Sequence, residues 1–398
     1  MTQLAHKIRL YPNQEAIVYF QRTAGTARFA WNWALATWKK KYEAGEKGMS
    51  GYSMVKEFNA IKGAEFPWTS EVTKWAPQKA IQDLGDAFNR FFKKQTRYPR
   101  FKKKGISKDS FYLGVGDFKI DGKRLKIPKI GWVKMAQGPR FPGTPKSVTI
   151  SREADQWFAS ISVELDESWV YPHQCETQAE VGIDLGISDT LILDNNIKLN
   201  YPKKLERLYR KIRETQRSLS RKRKGSQNRE KAKLKVARLW LRVRRVRQDW
   251  THRVTSGLVS MYRWIGMESL NVQGMMKLRS LARKIGEACW GEIKRQLLYK
   301  SELAGGHVVL ADRFFPSSKL CSSCGHKMKE LSLSVREWTC PACRVSHDRD
   351  VNAAMNLKLV ARRYRETLNV CGEDVRPVSF GKSAASVKQK LETEPLTI

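Results

Sequence analysis

The chain is short of acid. In 398 residues, 39 Asp and Glu face 75 Lys and Arg, a formal net charge of +36. Such an excess repels itself in the folded state unless a polyanion neutralises it. DNA and RNA are the obvious polyanions, because phosphates that exchange their counterions for Lys and Arg supply binding free energy. An anionic membrane fits less well, since acids interrupt the basic segments and no lipid-facing stripe accompanies them. Long apolar runs are also missing. No stretch of about 18 residues could span a bilayer, so no membrane partner is expected. The opening MTQLAHKIRLYPNQE lacks an apolar core segment, so no secretion signal is expected. The default compartment is cytoplasmic, in association with the nucleoid when DNA is bound. Cysteine is scarce and odd in number, seven in all, which argues against a disulfide framework. The chain has no G-x-x-x-x-G-K-[ST] phosphate loop, no G-x-S-x-G elbow, no H-E-x-x-H and no internal repeat. General disorder is excluded by 41% hydrophobic and 10% aromatic residues. The length suits two to four domains.

What is present falls into segments. Residues 1–10 alternate as a strand. Asn13 can cap a helix in which Ile17, Phe20, Ala24, Ala27, Trp31, Leu35 and Trp38 recur at helical spacing. A second helix follows Pro77, with Ala80, Leu84, Ala87, Phe88 and Phe91 on one face, so 11–105 reads as a helical domain ending in the basic loop RYPRFKKKG. Two hairpins are predicted in 106–170. One turns at Asp121-Gly122, and the other pairs Val148 and Ile150 with the alternating run from Trp157 to Leu165. Residues 180–369 read as an α/β domain with apolar strands at 181–194, 264–270 and 306–315. Within it, 201–250 forms a helical hairpin with twenty Lys and Arg against four acids. Its stripes are Leu205, Leu208, Tyr209, Ile212 and Leu219, then Val236, Trp240, Val243 and Trp250. That charge exceeds what solubility needs, and the turn Arg221, Lys222, Arg223, Lys224 is a candidate phosphate-tracking surface. The polar stretch 370–398 reads as a disordered tail.

The strongest motif is the cysteine quartet in 316–347. Cys321 and Cys324 form one C-x-x-C pair, and Cys340 and Cys343 form a second after fifteen intervening residues. Two such turns can meet around one tetrahedral Zn²⁺. Four thiolates close the shell, so the metal is structural, and His326 and His347 are expected at the surface or outside the ligand set. Three acids supply the candidate chemistry. Asp184 lies between Ile183 and Leu185 in an apolar strand, where a carboxylate is costly without compensation. Glu268 closes a second apolar strand. Asp350 opens a D-x-N-A-A-x-N helix start, where a plain N-cap is the alternative role. Three such carboxylates can hold two Mg²⁺ about 3.5–4 Å apart, one activating water and one stabilising a leaving 3′ oxygen. Asp189, Asp194 and Asp348 are rivals for these places.

Read in order, HKIRLYPNQ, GTARFAWNWAL, the Gln78-to-Phe92 stretch, YPRFKKKG, GIDLG, ESLNVQGM, FFPSSKLCSSCG and HDRDVNAAMNL resemble the TnpB family, transposon-encoded proteins similar to type V CRISPR effectors. The resemblance covers nearly the whole chain. It implies an α/β fold with α and β parts: an RNase H-like RuvC nuclease domain with an inserted zinc ribbon, preceded by a small β-barrel wedge domain, whose first strand is 1–10, and a helical recognition domain. It implies an RNA-guided DNA endonuclease whose guide RNA derives from the transposon end. Its target would be double-stranded DNA beside a short transposon-adjacent motif. Asp184, Glu268 and Asp350 fall on the family's catalytic positions, and Lys74 and Gln78 fall where it reads the adjacent motif. Ser269 departs from the family, which more often has a second acid after the glutamate. Base pairing would then read sequence while the protein reads duplex shape and phosphates. A guided repressor without cleavage and a transposase accessory protein acting on transposon ends are the alternatives.

Overall fold

The computed structural model describes residues 3–371, apart from 167–168, 174, 176, 279 and 333. The predicted tail lies outside the described residues from 372 onward. Two compact units divide the chain: Met1–Trp169 with Ile212–Leu241, and Val170–Lys211 with Arg242–Ile398. Among the described residues, no helix is long and apolar enough to cross a membrane.

The first unit begins with β1 (Gln3–Tyr11), α1 (Gln14–Glu43), α2 (Gly51–Glu65) and α3 (Trp75–Phe92). The Asn13 side chain accepts from the Ala16 amide at 2.9 Å and starts α1 as its cap. The helical stripe then buries Phe20, Ala24, Ala27, Leu35 and Trp38, and Trp38 stacks on Phe88 of α3 at 4.4 Å between ring centroids. Helix α3 starts two residues before Pro77, which is tolerated in a first turn because amides there have no intrahelical partner.

Six strands follow: β2 (Ser110–Leu113), β3 (Lys119–Asp121), β4 (Arg124–Ile127), β5 (Gly131–Met135), β6 (Gly143–Glu153) and β7 (Gln156–Leu165). Both hairpins form, β3 with β4 around Asp121↔Arg124 and β6 with β7 around Ile150↔Ala159. The sheet order is β2-β6-β7-β1-β5-β4-β3. Strand β1 therefore lies inside the sheet, antiparallel to β7 and β5, with Ile8 and Leu10 turned into the core. Among the described residues no pairing joins β2 to β3, so the strands form an open row where a closed barrel was expected.

The second unit carries a mixed sheet of β8 (Glu180–Asp184), β9 (Leu191–Leu193), β10 (Lys198–Leu199), β11 (Trp264–Met267) and β12 (His307–Leu310), in the order β10-β9-β8-β11-β12. Strands β8, β11 and β12 run parallel, and β9 is antiparallel to β8. The three parallel strands read as short apolar runs, as strands covered on both faces do. Helices α4 (Lys204–Ser220) and α5 (Gln227–Met261) form the basic hairpin. Then come α6 (Val272–Met275), α7 (Ala282–Ala288) and α8 (Trp290–Leu303). A two-stranded ribbon, β13 (Glu337–Thr339) and β14 (Ser346–Asp348), runs directly into α9 (Arg349–Cys371).

The hairpin is shared between the two units. Its far part, residues 212–241, groups with the first unit. There Arg238 donates to both carboxylate oxygens of Asp155, in the β6–β7 turn, at 3.2 and 2.7 Å. The second apolar stripe is also less regular than its spacing suggests, since Val243 is buried while Trp240 is 42% exposed.

Candidate active site

Strand register brings the first two acids together. Strands β8 and β11 are parallel with Ile183 opposite Met267. The next residues are Asp184 and Glu268, so both carboxylates leave the same ends of neighbouring strands, about 4.8 Å apart in the pairing direction. Both are half-buried.

The third acid arrives on α9, which lies against the backbones of these two strands. A Cβ on Gly182 would sit 1.7 Å from the Ala354 carbonyl oxygen, and one on Gly266 would sit 2.0 Å from the Leu357 carbonyl oxygen. Only glycine permits this approach. The facing helix positions are small as well, with Ala353, Ala354 and Ala361 fully buried. Asp350 is then in the first turn of α9, beside the strand ends.

Charge couples the three acids. Burial first, then the neighbouring charges of Glu268 and Asp350, push the Asp184 pKa well above the ordinary carboxylate range. Like charges held this way call for a cation, and three hard carboxylates match the oxygen donors that Mg²⁺ prefers. Among the described residues, the cysteines are the set whose ligand atoms converge within 4.8 Å, and the three carboxylates are not such a set.

Glu268 and Asp350 each have a distinct support. The Ser317 hydroxyl donates to Glu268 Oε1 at 2.6 Å. Arg336, just before β13, reaches both Asp350 oxygens at 3.2 and 3.4 Å. Asp350 is not the helix cap: Asp348 Oδ1 accepts from the Asp350 and Val351 amides, both at 2.9 Å. That leaves the Asp350 carboxylate free of capping duty. The other rivals are engaged with other partners. Asp194 accepts from the Gly182 amide at 3.1 Å and pairs with Lys358 at 2.7 Å, while Asp189 accepts from Asn200 at 2.6 Å.

The cysteine quartet lies in the same unit. Cys321 and Cys343 sulfurs are 3.6 Å apart, as are those of Cys324 and Cys340. A tetrahedron of thiolates at Zn–S distances near 2.3 Å has edges of about 3.8 Å, so the quartet fits one Zn²⁺. Its two turns have the same form: the Gly325 amide bonds back to Cys321 O and the Arg344 amide to Cys340 O, both at 2.9 Å. Backbone amides, that of Cys343 foremost, pull the Cys340 thiol down to about 6, while the Cys324 and Cys343 thiols beside it are raised. His347 is buried, with Nε2 3.1 Å from Cys321 Sγ, and acts as a partner of that sulfur outside the quartet.

The expected nucleic-acid contacts lie in the first unit. Lys74, at the start of α3, is exposed and 3.7 Å from Asp117. It borders a groove of about 500 Å³ with Lys62 and Lys129. Gln78 is half-buried one turn further on. Arg221, Arg223 and Lys224 are exposed in the hairpin turn and Lys222 is half-buried. Arg229 holds that turn by donating to the Leu219 and Lys222 carbonyls at 2.9 and 2.8 Å.

Sequence reasoning did not single out Ser317 or Arg336, and it took Asn352 and Asn356 only as part of the D-x-N-A-A-x-N run, without a role. The available signal was the pair of asparagines at i and i+4 on the apolar face of α9. Both are 1% exposed, and a buried amide needs a partner.

Comparisons with known proteins agree with this layout. A family model described as "Probable transposase" matches residues 160–279, which contain Asp184 and Glu268. A "Cas12f1-like, TNB domain" model matches 290–357, which contain the quartet and Asp350, and a "Helix-turn-helix domain" model matches 1–47. The chain is 36% identical to a "Putative RNA-guided DNA endonuclease" of Streptomyces pristinaespiralis, over 97% of this chain and 96% of that one. It is 31% identical to the "Putative RNA-guided DNA endonuclease InsQ" of Escherichia coli (strain K12), over 94% of each. The TnpB-like protein L79 of Acanthamoeba polyphaga mimivirus is 29% identical over 44% of this chain and 36% of its own length. Among solved structures, the Cas12f1 chain of a Cas12f1–sgRNA–target DNA complex aligns over 87% of this chain and 83% of that one, with a TM-score of 0.53 and 15% identity, a likeness of fold. With the acid pair in register, α9 seated on the sheet and relatives matched end to end, the chain belongs to the TnpB family.

Proposed function

We propose that this protein is an RNA-guided DNA endonuclease that hydrolyses phosphodiester bonds at Asp184, Glu268 and Asp350. The observation that carries the reading is the parallel register that aligns Asp184 with Glu268, together with the seating of α9 that adds Asp350. The full-length relatives named RNA-guided DNA endonucleases support it. The three carboxylates would hold Mg²⁺, which supplies activation of water and stabilisation of the departing 3′ oxygen. The quartet Cys321, Cys324, Cys340 and Cys343 would hold one structural Zn²⁺, leaving no open position for chemistry there.

The remaining roles follow from charge and position. The guide would be an RNA from the transposon end, and the target double-stranded DNA beside a short adjacent motif. Lys74 and Gln78 lie one turn apart at the start of α3, where they could meet one duplex face. Arg221, Lys222, Arg223 and Lys224 would track phosphates. We assign the seven-stranded sheet to the wedge, α1 to α3 to guide and target recognition, and the second unit to the nuclease. Base pairing reads the target, so broad positive charge suffices for the protein.

The test is Asp184→Ala in the protein purified with its co-purifying RNA. It should retain guide and target binding and lose cleavage. Cleavage at the wild-type rate would remove the acid centre from the chemistry.

A further inference from the structure

The segment between β12 and the first cysteine turn is tied to α9 and to Glu268 at once. Asn356 Nδ2 donates to the Ser317 carbonyl at 2.7 Å and to the Leu320 carbonyl at 2.6 Å. Asn352 Nδ2 donates to the Leu320 carbonyl at 2.8 Å, and its Oδ1 accepts from the Ser322 amide at 3.0 Å. Ser322 directly follows Cys321. Ser317, 5% exposed, then spends its hydroxyl proton on Glu268 Oε1. One face of α9 thus holds both ends of a short loop, and the loop holds one carboxylate oxygen of Glu268.

We infer that Ser317 is a positioning residue that fixes the Glu268 carboxylate for its cation, and that Asn352 and Asn356 lock Ser317 by bonding its own carbonyl and the backbone that follows it at Leu320 and Ser322. The inference rests on the cation-binding role proposed above for the three acids. A carboxylate on a strand end can rotate about its side-chain torsions, and a hydrogen bond to one oxygen restricts that rotation and aims the other. The buried asparagines make the restraint stiff, because their amide protons have no water to turn to. The same amides tie Glu268 to the cysteine turn through Ser322 and Asn352. Order in the cysteine turn is therefore passed to the acid centre through five named hydrogen bonds.

Mn²⁺ binding tests this without turnover. The full chain with its co-purifying RNA is titrated, free Mn²⁺ is read by electron paramagnetic resonance, and the Asp184→Ala complex sets the background from RNA and surface. Ser317→Ala should weaken the Asp184-dependent binding by about 10-fold, the usual cost of removing an outer partner of a metal ligand. The midpoint of Mg²⁺ dependence in cleavage should rise by a similar factor, with a smaller change in the rate at saturating Mg²⁺. Ser317→Thr keeps the hydroxyl and should restore both. Equal Mn²⁺ affinity in wild type and Ser317→Ala, or equal loss in Ala and Thr variants, overturns the inference while the nuclease reading stands. A wild-type complex that binds Mn²⁺ in a Ser317-dependent way but cuts no DNA supports the positioning role and sinks the nuclease reading.

Discussion

Gly182→Ala tests how the acid centre is assembled. The added methyl carbon would lie 1.7 Å from the Ala354 carbonyl oxygen, whereas real contacts of this kind stay above 3.0 Å. Helix α9 must withdraw by about 1.3 Å, because the neighbour is backbone and the core is too densely packed to absorb it. Overpacking of this kind costs about 1–3 kcal/mol of stability. The larger effect falls on catalysis. Asp350 rides on α9, and a misplacement near 1 Å costs about 100-fold in rate. The expected result is a lowered melting temperature and about 100-fold slower cleavage, with guide binding unchanged. Gly266→Ala, 2.0 Å from the Leu357 carbonyl oxygen, should behave alike. Gly63→Ala is the control: it sits on α2 with nothing within 4 Å of a new Cβ, and should be neutral or stabilise by about 0.4–1 kcal/mol. Cleavage at the wild-type rate in Gly182→Ala would refute the claim that close seating of α9 sets the acid geometry.

Two further outcomes are expected. Cys340→Ser should drop zinc, measured by elemental analysis, from one per chain to well below one, and should slow cleavage through the Ser322–Asn352 link; a full zinc complement would remove Cys340 from the ligand set. Lys300 is 3% exposed, bonded to His252 O, Thr255 and Ser256, and desolvation followed by the Arg295 charge lowers its pKa to about 8. The unfolded chain, with an ordinary lysine pKa near 10.4, binds more protons between those values, so stability should rise with pH through about 8–10 by roughly 3 kcal/mol. Lys300→Met should lack that rise in thermal melts over the range, and an identical pH profile in both proteins would contradict it.

Local patterns were legible without coordinates. The spacing of Cys321, Cys324, Cys340 and Cys343 announces a metal turn pair because ligand geometry is set within a few residues of each cysteine. Alternation announced β6 and β7, and helical spacing announced α1. Asp184 stood out because a carboxylate inside an apolar strand is costly, and Glu268 and Asp350 joined it as a pattern, one at a strand end and one at a helix start. The role of Asp348 was not legible. Asp348 and Asp350 are equally plausible caps in one dimension, and only the bonds to the Asp350 and Val351 amides decide between them.

By itself, then, the sequence determined the excess of positive charge, the spacing that brings four cysteines together, the two hairpins, and which three acids are candidates for the chemistry. Tertiary structure alone decided that Ile183 pairs with Met267, that β1 lies inside its sheet, that residues 212–241 group with the first unit, and that Ser317 reaches Glu268. The reason is range. Periodicity and ligand spacing act between near neighbours, whereas parallel register and buried side-chain bonds join residues far apart in the chain, whose meeting depends on how glycine, alanine and asparagine let α9 close on the sheet.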